Sequence, residues 1–490
     1  MLRLPDSPWA QRGLAALFGA LGVLCFAPVG FFWLALPVWL GFFLVLRAAA
    51  NVRAALWSGL TFGLGFFLGG VSWVYVSLSV YGGMHPVLAA TATLLWCAVM
   101  ALFPMLIGAA FKRWQPAGVV RQAFFFGALC LFADWLRGWV FTGFPWLALG
   151  YSQTPENPLA GFVPLIGVYG LSLLVATSAA LLAVWRIGVP VLLALCLAGF
   201  GLTRVAWTEP VGAPISVALV QGNVPQEMKW QPEHYLRTLH LYHQLVAAHP
   251  AQLTVLPETA IPAFFEQLPD EFVSEMQRLA RRRNGDLILG AVTGEGERYR
   301  NSAVSLGSSP TQRYSKTHLV PFGEFIPPGF AWFLDLASIP MSEFTRGNEA
   351  QAPLAVAGQQ VAANICYEDV FGEEIIRALP KAGILVNLSN TAWFGRSLAQ
   401  PQHLQIARMR AMETGRPMLR ATNTGMTAAI RPDGSVQAVL PPFTTGVLTA
   451  EVRGYQGMTP YARWGNWLAL GLGGLLLGVA LSGRKRASVR

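Results

Sequence analysis

The chain has 490 residues, 54% of them hydrophobic and only 12% charged, with a mean hydropathy of +0.45. A soluble domain carries about 25% charged residues, so this composition excludes a wholly soluble protein and indicates an integral membrane protein with a soluble part. The formal net charge of +10 is scattered, and the terminal "GRKRASVR" suits the flank of a membrane span better than a nucleic-acid surface.

Residues 1–207 are mostly apolar and contain seven candidate spans, near 10–28, 31–48, 55–78, 87–111, 121–143, 162–185 and 188–206. Each is close to the ~20 residues a helix needs to cross the hydrocarbon core. The first follows Arg3 and Arg12, as a signal peptide would, but its cleavage signal is poor and another apolar run follows at once. Arg47 and Arg53, then Lys112, Arg113 and Arg121, then Arg186 fall in alternate connections, whereas "APVGF" and "VYGGMHP" hold no Lys or Arg. The positive-inside rule places the N-terminus in the cytoplasm, and seven spans carry the chain to the outer side. An eighth apolar run, 464–482, returns the basic tail to the cytoplasm. The expected division is therefore 1–207, seven transmembrane helices; 208–462, an external domain; and 463–490, a last span with a basic tail. Gly59/Gly63 and Gly65/Gly69 have the four-residue spacing that lets membrane helices approach closely.

Within 208–462 the pattern changes to apolar strands alternating with amphipathic helices. "ISVALVQGN", "LTVLPE", "DLILGAVT", "NSAVSL", "QVAANICYE", "GILVNLSN", "PMLRATNTG", "TAAIRP" and "GVLTAEV" read as strands, and 232–248, 270–283, 372–380 and 401–415 as helices. That alternation predicts a layered α/β fold, and about 250 residues suffice for one core.

Three strand ends in this domain carry residues with chemistry. "LTVLPETA" presents Glu258, "QRYSKTHLVPFGEF" presents Lys316, and "NICYED" presents Cys366. Four of the five cysteines, Cys25, Cys97, Cys130 and Cys196, lie in the apolar runs, so Cys366 has no disulfide partner in its own domain. A thiol is a good nucleophile once deprotonated. A carboxylate can take its proton, and an ammonium can balance the charge of a tetrahedral intermediate. Taken singly, each residue also has a plain reading: a small core thiol, an acid opening a turn, a surface lysine.

"LPETA", "YSKTHLVPFGEF", "ICYEDVF" and "NLSNTAWFG" together resemble the motifs of the nitrilase, or carbon–nitrogen hydrolase, superfamily. The preceding apolar spans and "RGWVFTGFPWLALGYSQ" at 137–153 are similar to its membrane branch, the apolipoprotein N-acyltransferases. The resemblance covers nearly the whole chain. It implies an αββα sandwich and a Glu–Lys–Cys triad, with Glu258 as general base, Lys316 stabilising the oxyanion and Cys366 as nucleophile. Glu324 matches a second acid that supports the site. The implied reaction moves an acyl chain from a membrane phospholipid to Cys366 as a thioester. The chain then passes to the α-amine of the N-terminal diacylglyceryl-cysteine of an apolipoprotein, without a cofactor. The implied location is the bacterial inner membrane, with the catalytic domain in the periplasm.

Around the triad, Tyr367 and Glu368 read as supporting residues or as packing and an ion-pair partner. Asn301 reads as a supporting residue or as the closer of a turn. Trp230 and Trp393 read as substrate-facing or interior aromatics. The apolar segment 327–341, with Phe330, Trp332 and Phe333, reads as a lid entering the membrane interface or as part of the interior. The seven histidines show no paired metal-ligand spacing. Two other functions remain open: a tethered amidase acting on a small amide, and a transporter with an external regulatory domain. The transporter would have to rely on Asp134 and Arg137, the clearest ionisable pair within a span.

Overall fold

A computed structural model describes residues 5, 7–229, 231–295, 298–327, 329 and 343–482. Trp230, Phe330, Trp332 and Phe333 lie outside the described residues, so the expected lid and one expected aromatic contact do too. The chain divides into a helical unit (1–75, 87–206 and 464–490) and a second unit (76–86 and 207–463).

In the helical unit, four stretches among the described residues are long and apolar enough to cross a membrane: Val52–Val71, Pro86–Arg113, Val119–Arg137 and Pro158–Leu202. The last, 45 residues in all, contains two α-helices, Val163–Leu181 and Trp185–Leu202, separated by non-helical backbone at Val184 (φ −119°, ψ 74°). Phe32–Ala48 and Trp467–Leu481 are shorter apolar helices, and Pro8–Gly22 forms a further helix. The glycine spacing has the expected consequence. A Cβ at Gly63 would lie 2.7 Å from Ala101 Cα, and one at Gly65 would collide with the Ala16 carbonyl, so Val52–Val71 is gripped on two faces.

Asp134 and Arg137 do pair at i, i+3, with Oδ1 and Nη2 2.9 Å apart. Neither is left over for a transported ion. Arg137 Nη1 also donates to the carbonyls of Phe144 (2.8 Å) and Trp146, while Asp134 Oδ2 accepts from Ser172 Oγ (2.7 Å) and Leu149 N (2.9 Å). The pair staples the 138–153 connection to its helix, which removes the main support for a transport path.

The second unit contains two six-stranded sheets. The strands are β1 Thr208–Gln221, β2 Leu253–Val255, β3 Asp286–Glu295, β4 Arg298–Gly307, β5 Arg313–Ser315, β6 Leu354–Val356, β7 Gln359–Ile365, β8 Ile384–Ser389, β9 Met418–Thr422, β10 Ala428–Ile430, β11 Val436–Val439 and β12 Gly446–Gly457. Their orders are β12-β1-β2-β3-β4-β5 and β11-β10-β9-β8-β7-β6. The central strands β1-β2-β3 and β7-β8-β9 run parallel, and antiparallel strands flank them.

Side-chain alternation assembles the layers. On β1, Val217 and Leu219 face Ile365, Val386 and Leu419 of the other sheet, while Val220 turns outward. Ile288 of β3 points between the sheets, and its neighbours Leu287 and Leu289 pack under the helices Pro232–Ala248 and Asp270–Arg281 through Leu239, Tyr242, Met276 and Leu279. On the second sheet, Leu385 and Met418 face outward onto Leu404, Ala407 and Ala411 of the helix Ala399–Thr414. The result is the expected αββα sandwich.

Candidate active site

The parallel strands of both sheets deliver their carboxyl ends to one region, where α/β folds commonly hold their sites. Glu258 lies three residues beyond β2. Its corner is fixed by Leu256 N to Ile288 O (2.9 Å) and Ala260 N to Gly290 O (2.9 Å). Gly290 is needed there, because a Cβ at that position would meet the Pro257 carbonyl. Lys316 follows β5 directly, and its own N–H donates to Asn301 O (2.8 Å). It is 1% exposed, contrary to the usual surface place of a lysine.

These residues form one hydrogen-bonded cluster. Lys316 Nζ lies 2.8 Å from Glu324 Oε1 and 3.4 Å from Glu258 Oε1. Asn301 Nδ2 donates to the same two oxygens, at 3.1 and 2.7 Å. Asn390 N donates to Glu258 Oε2 (2.7 Å) and Val320 N to Glu324 Oε2 (2.9 Å), so both carboxylates are held at both oxygens. Asn301 closes no turn: it is a buried residue of β4 opposite Val292 of β3, and its side chain bridges the two acids. Burial alone would lower the Lys316 pKa, but the charges of Glu324 and Glu258 overcome that and raise it, so the ammonium persists through neutral pH.

Cys366 is the first residue after β7 and begins the 3₁₀ turn Cys366–Val370 rather than an α-helix. Its φ is +53°, a strained conformation for a residue with a Cβ. The surroundings enforce it. Ile365 N donates to Glu368 Oε2 (2.6 Å), and Asn387 Nδ2 holds the Cys366 carbonyl (3.1 Å). Behind them Arg420 Nη1 meets Asp369 Oδ2 (2.9 Å) and Asn387 Oδ1 (3.1 Å), and Asp369 Oδ1 meets His403 Nε2 (2.7 Å).

Glu368 ties the thiol's turn to the lysine's strand. Besides Ile365 N it accepts from Tyr314 OH (3.0 Å), Thr317 N (2.6 Å), Thr317 Oγ1 (2.8 Å) and His318 N (3.1 Å). Among the described residues its partners are these five hydrogen-bond donors, and no ion pair replaces them. Tyr367 packs edge-on against Phe371 (5.1 Å) and His318 (5.9 Å). Trp393 is half-buried; its carbonyl accepts from Ser77 Oγ (2.8 Å) and its ring lies 6.2 Å from Tyr81, on the 76–86 segment that belongs to this unit. Asn390, Ser389, Gln226 and Lys229 also belong to the site and were not singled out in the sequence, although Ser389 and Asn390 lie inside "NLSNTAWFG". Among the described residues no group of three or more His, Cys, Asp or Glu could hold a metal ion.

Burial, then the charge of Glu258, pushes the Cys366 thiol up to about 12, with Lys316 pulling against them. The resting residue is therefore a neutral thiol, and a base must take its proton as it attacks. Alkylation of Cys366 by iodoacetamide is expected to rise about tenfold per pH unit from about pH 6 to 8 without a plateau. Glu258→Gln, which removes the negative charge that raises the thiol most, should speed alkylation while abolishing acyl transfer. A plateau below about pH 8 would show a preformed thiolate instead.

Comparison with known proteins identifies the family. Residues 216–460 match the carbon-nitrogen hydrolase family, and residues 18–181 match the apolipoprotein N-acyltransferase N-terminal domain. A Nitrosomonas europaea protein named apolipoprotein N-acyltransferase is 50% identical over 463 residues, covering 90% of this chain and 91% of its own length. Proteins of the same name from Ralstonia nicotianae and Chromobacterium violaceum are 47% and 46% identical, over 97% and 98% of this chain and 94% and 97% of their own lengths. The chain belongs to the apolipoprotein N-acyltransferase family.

Proposed function

We propose that the protein transfers a fatty acyl chain from a membrane phospholipid, through a thioester on Cys366, to the N-terminal α-amine of diacylglyceryl-modified apolipoproteins. The observation that carries this reading is the buried Glu258–Lys316–Glu324–Asn301 cluster beside a strained cysteine. Glu258 takes the thiol proton as sulfur attacks the ester carbonyl, and Lys316 balances the charge gained by the carbonyl oxygen. Collapse breaks the acyl C–O bond. The leaving alkoxide takes the proton from Glu258 and departs as a lysophospholipid. In the second half, the neutral α-amine attacks the thioester, Glu258 removes its excess proton, and the proton returns to the departing sulfur.

In this reading 1–207 and 463–490 form an eight-span anchor in the bacterial inner membrane with both termini cytoplasmic, and 208–462 is periplasmic. Both substrates are lipids, and each methylene brought into water costs about 0.8 kcal/mol. A membrane-anchored site avoids extracting them.

The test supplies purified protein with a phospholipid bearing labelled acyl chains and a synthetic diacylglyceryl-cysteine peptide. Label in amide linkage on the peptide supports the proposal. Label released only as free fatty acid would make water the acceptor and the protein a tethered hydrolase.

A further inference from the structure

Lys229, in "PQEMKW", is buried to 2% exposure at the end of the one-turn helix Gln226–Lys229. Its Nζ donates to Thr259 Oγ1 (2.6 Å) and to the Glu258 carbonyl (3.3 Å). Thr259 needs such a hold: its φ is +41°, and a β-branched residue adopts that conformation only when its surroundings impose it. The same helix also reaches the Glu258 carboxylate indirectly. Gln226 Oε1 accepts from Asn390 Nδ2 (2.8 Å), and Asn390 N donates to Glu258 Oε2 (2.7 Å). One turn of helix therefore grips Glu258 at its backbone and, through Asn390, at its side chain.

A methionine would fill the same volume without the cost of burying an ammonium. A buried cation here has an electrostatic consequence as well as a structural one. The groups whose charges act on Lys229 are Glu258 and Cys366, and Lys316 meets the same Glu258 at Oε1. Glu227 lies two residues away on its own helix.

We propose that Lys229 is a second active-site cation, a positioning residue that locks the Glu258–Thr259 corner and whose charge favours formation of the Cys366 thiolate. Burial lowers its pKa to about 8, with Glu258 and Cys366 opposing the shift, so its charge is lost within the range in which activity can be measured. The corner-holding bonds survive deprotonation better than the charge does, and this separates the two contributions.

The proposal rests on Cys366 being the acylated residue, so the wild-type protein and Cys366→Ala are run alongside. Full-length protein in detergent micelles is mixed with a phospholipid carrying fluorescent acyl chains and no acceptor. The rate at which hydroxylamine-sensitive label appears on the protein is followed from about pH 6 to 10. In wild type the rate should fall on the alkaline side near pH 8. In Lys229→Arg, whose guanidinium does not titrate, that limb should move up by at least about one unit. In Lys229→Met the limb should vanish, with the rate at neutral pH down by about 100-fold and the half-saturating phospholipid concentration changed less than about threefold. Lys229→Met acylating within about threefold of wild type, or Lys229→Arg keeping its limb near pH 8, would overturn the proposal. If Lys229→Met does not fold, the Lys229→Arg profile decides. No label on wild type would instead refute the thioester reading itself.

Discussion

Lys316→Met is expected to lower acyl transfer by about 10³-fold or more, because it removes the oxyanion's cation and disables the base together. Glu258 and Glu324 share Lys316 and Asn301 as donors. With the ammonium gone, two carboxylates converge on a single amide in a buried site with no cation to balance them. Stability should fall by about 3–5 kcal/mol, as when one member of a buried ion pair is deleted. The pH dependence gives a second signature. In wild type the raised Lys316 pKa means its contribution is fully present below the ordinary lysine value of about 10.4 and is lost only as pH rises through the raised folded value. Stability from this residue is therefore flat across neutral pH. Denaturant unfolding of the detergent-solubilised wild type and variant at several pH values measures this. A variant with wild-type stability and more than a tenth of wild-type activity would mean that Lys316 carries neither role.

Glu368→Ala is expected to have the next largest effect. It would strand five donors, on Ile365, Tyr314, Thr317 (two) and His318, all reaching one carboxylate. Each buried donor left unpaired costs about 1–3 kcal/mol, so a loss of about 5 kcal/mol is expected even after partial relaxation. Activity should fall by about 10²-fold, the usual consequence of moving a nucleophile by about 1 Å relative to its partners. Glu368→Gln should not rescue it. Both carboxylate oxygens accept from N–H or O–H groups, and an amide would point its own donors at some of them. If Glu368→Gln kept more than about half the activity, a neutral acceptor would suffice and the joining role assigned here would be wrong.

The parts of the fold that repeat locally were legible in the sequence. Apolar runs such as "GILVNLSN" are strands because both faces are covered, one by the opposite sheet and one by helices. The amphipathic helices 232–248 and 270–283 were readable from their stripes, and the second ends at Arg281. Two short edge elements were not legible. β6 has three residues and β11 four, too few to show a period. β1 begins at Thr208, seven residues before the apolar run, because β12 pairs with its exposed start across a register shift between Val211 and Ile215. The expected helix 372–380 is only Gly372–Ile375 with a 3₁₀ turn to Ala378; Pro380 follows, and the residue before a proline disfavours helix.

The site divides in the same way. Glu258, Lys316 and Cys366 stood out in the sequence because each follows a strand-like run inside a recognisable motif. The burial of Lys316 was invisible, because Glu258 comes from a distant strand end and the return of Glu324, eight residues on, to the lysine shows only in the folded chain. For Asn301 the sequence left a supporting role and a turn open, and its place on β4 opposite Val292 rules out the turn. Lys229 gave no signal at all, since its partners Glu258 and Thr259 lie about 30 positions away and are brought to it by packing.

The central claim is that Cys366 carries the acyl group between donor and acceptor. The most direct measurement is the intact mass of the full-length protein after incubation with phospholipid and no acceptor. The account predicts a mass gain of one acyl chain, removed by neutral hydroxylamine and absent in Cys366→Ala. A folded, lipid-exposed wild-type protein that gains no mass, or a Cys366→Ala variant that gains the same mass, would contradict it.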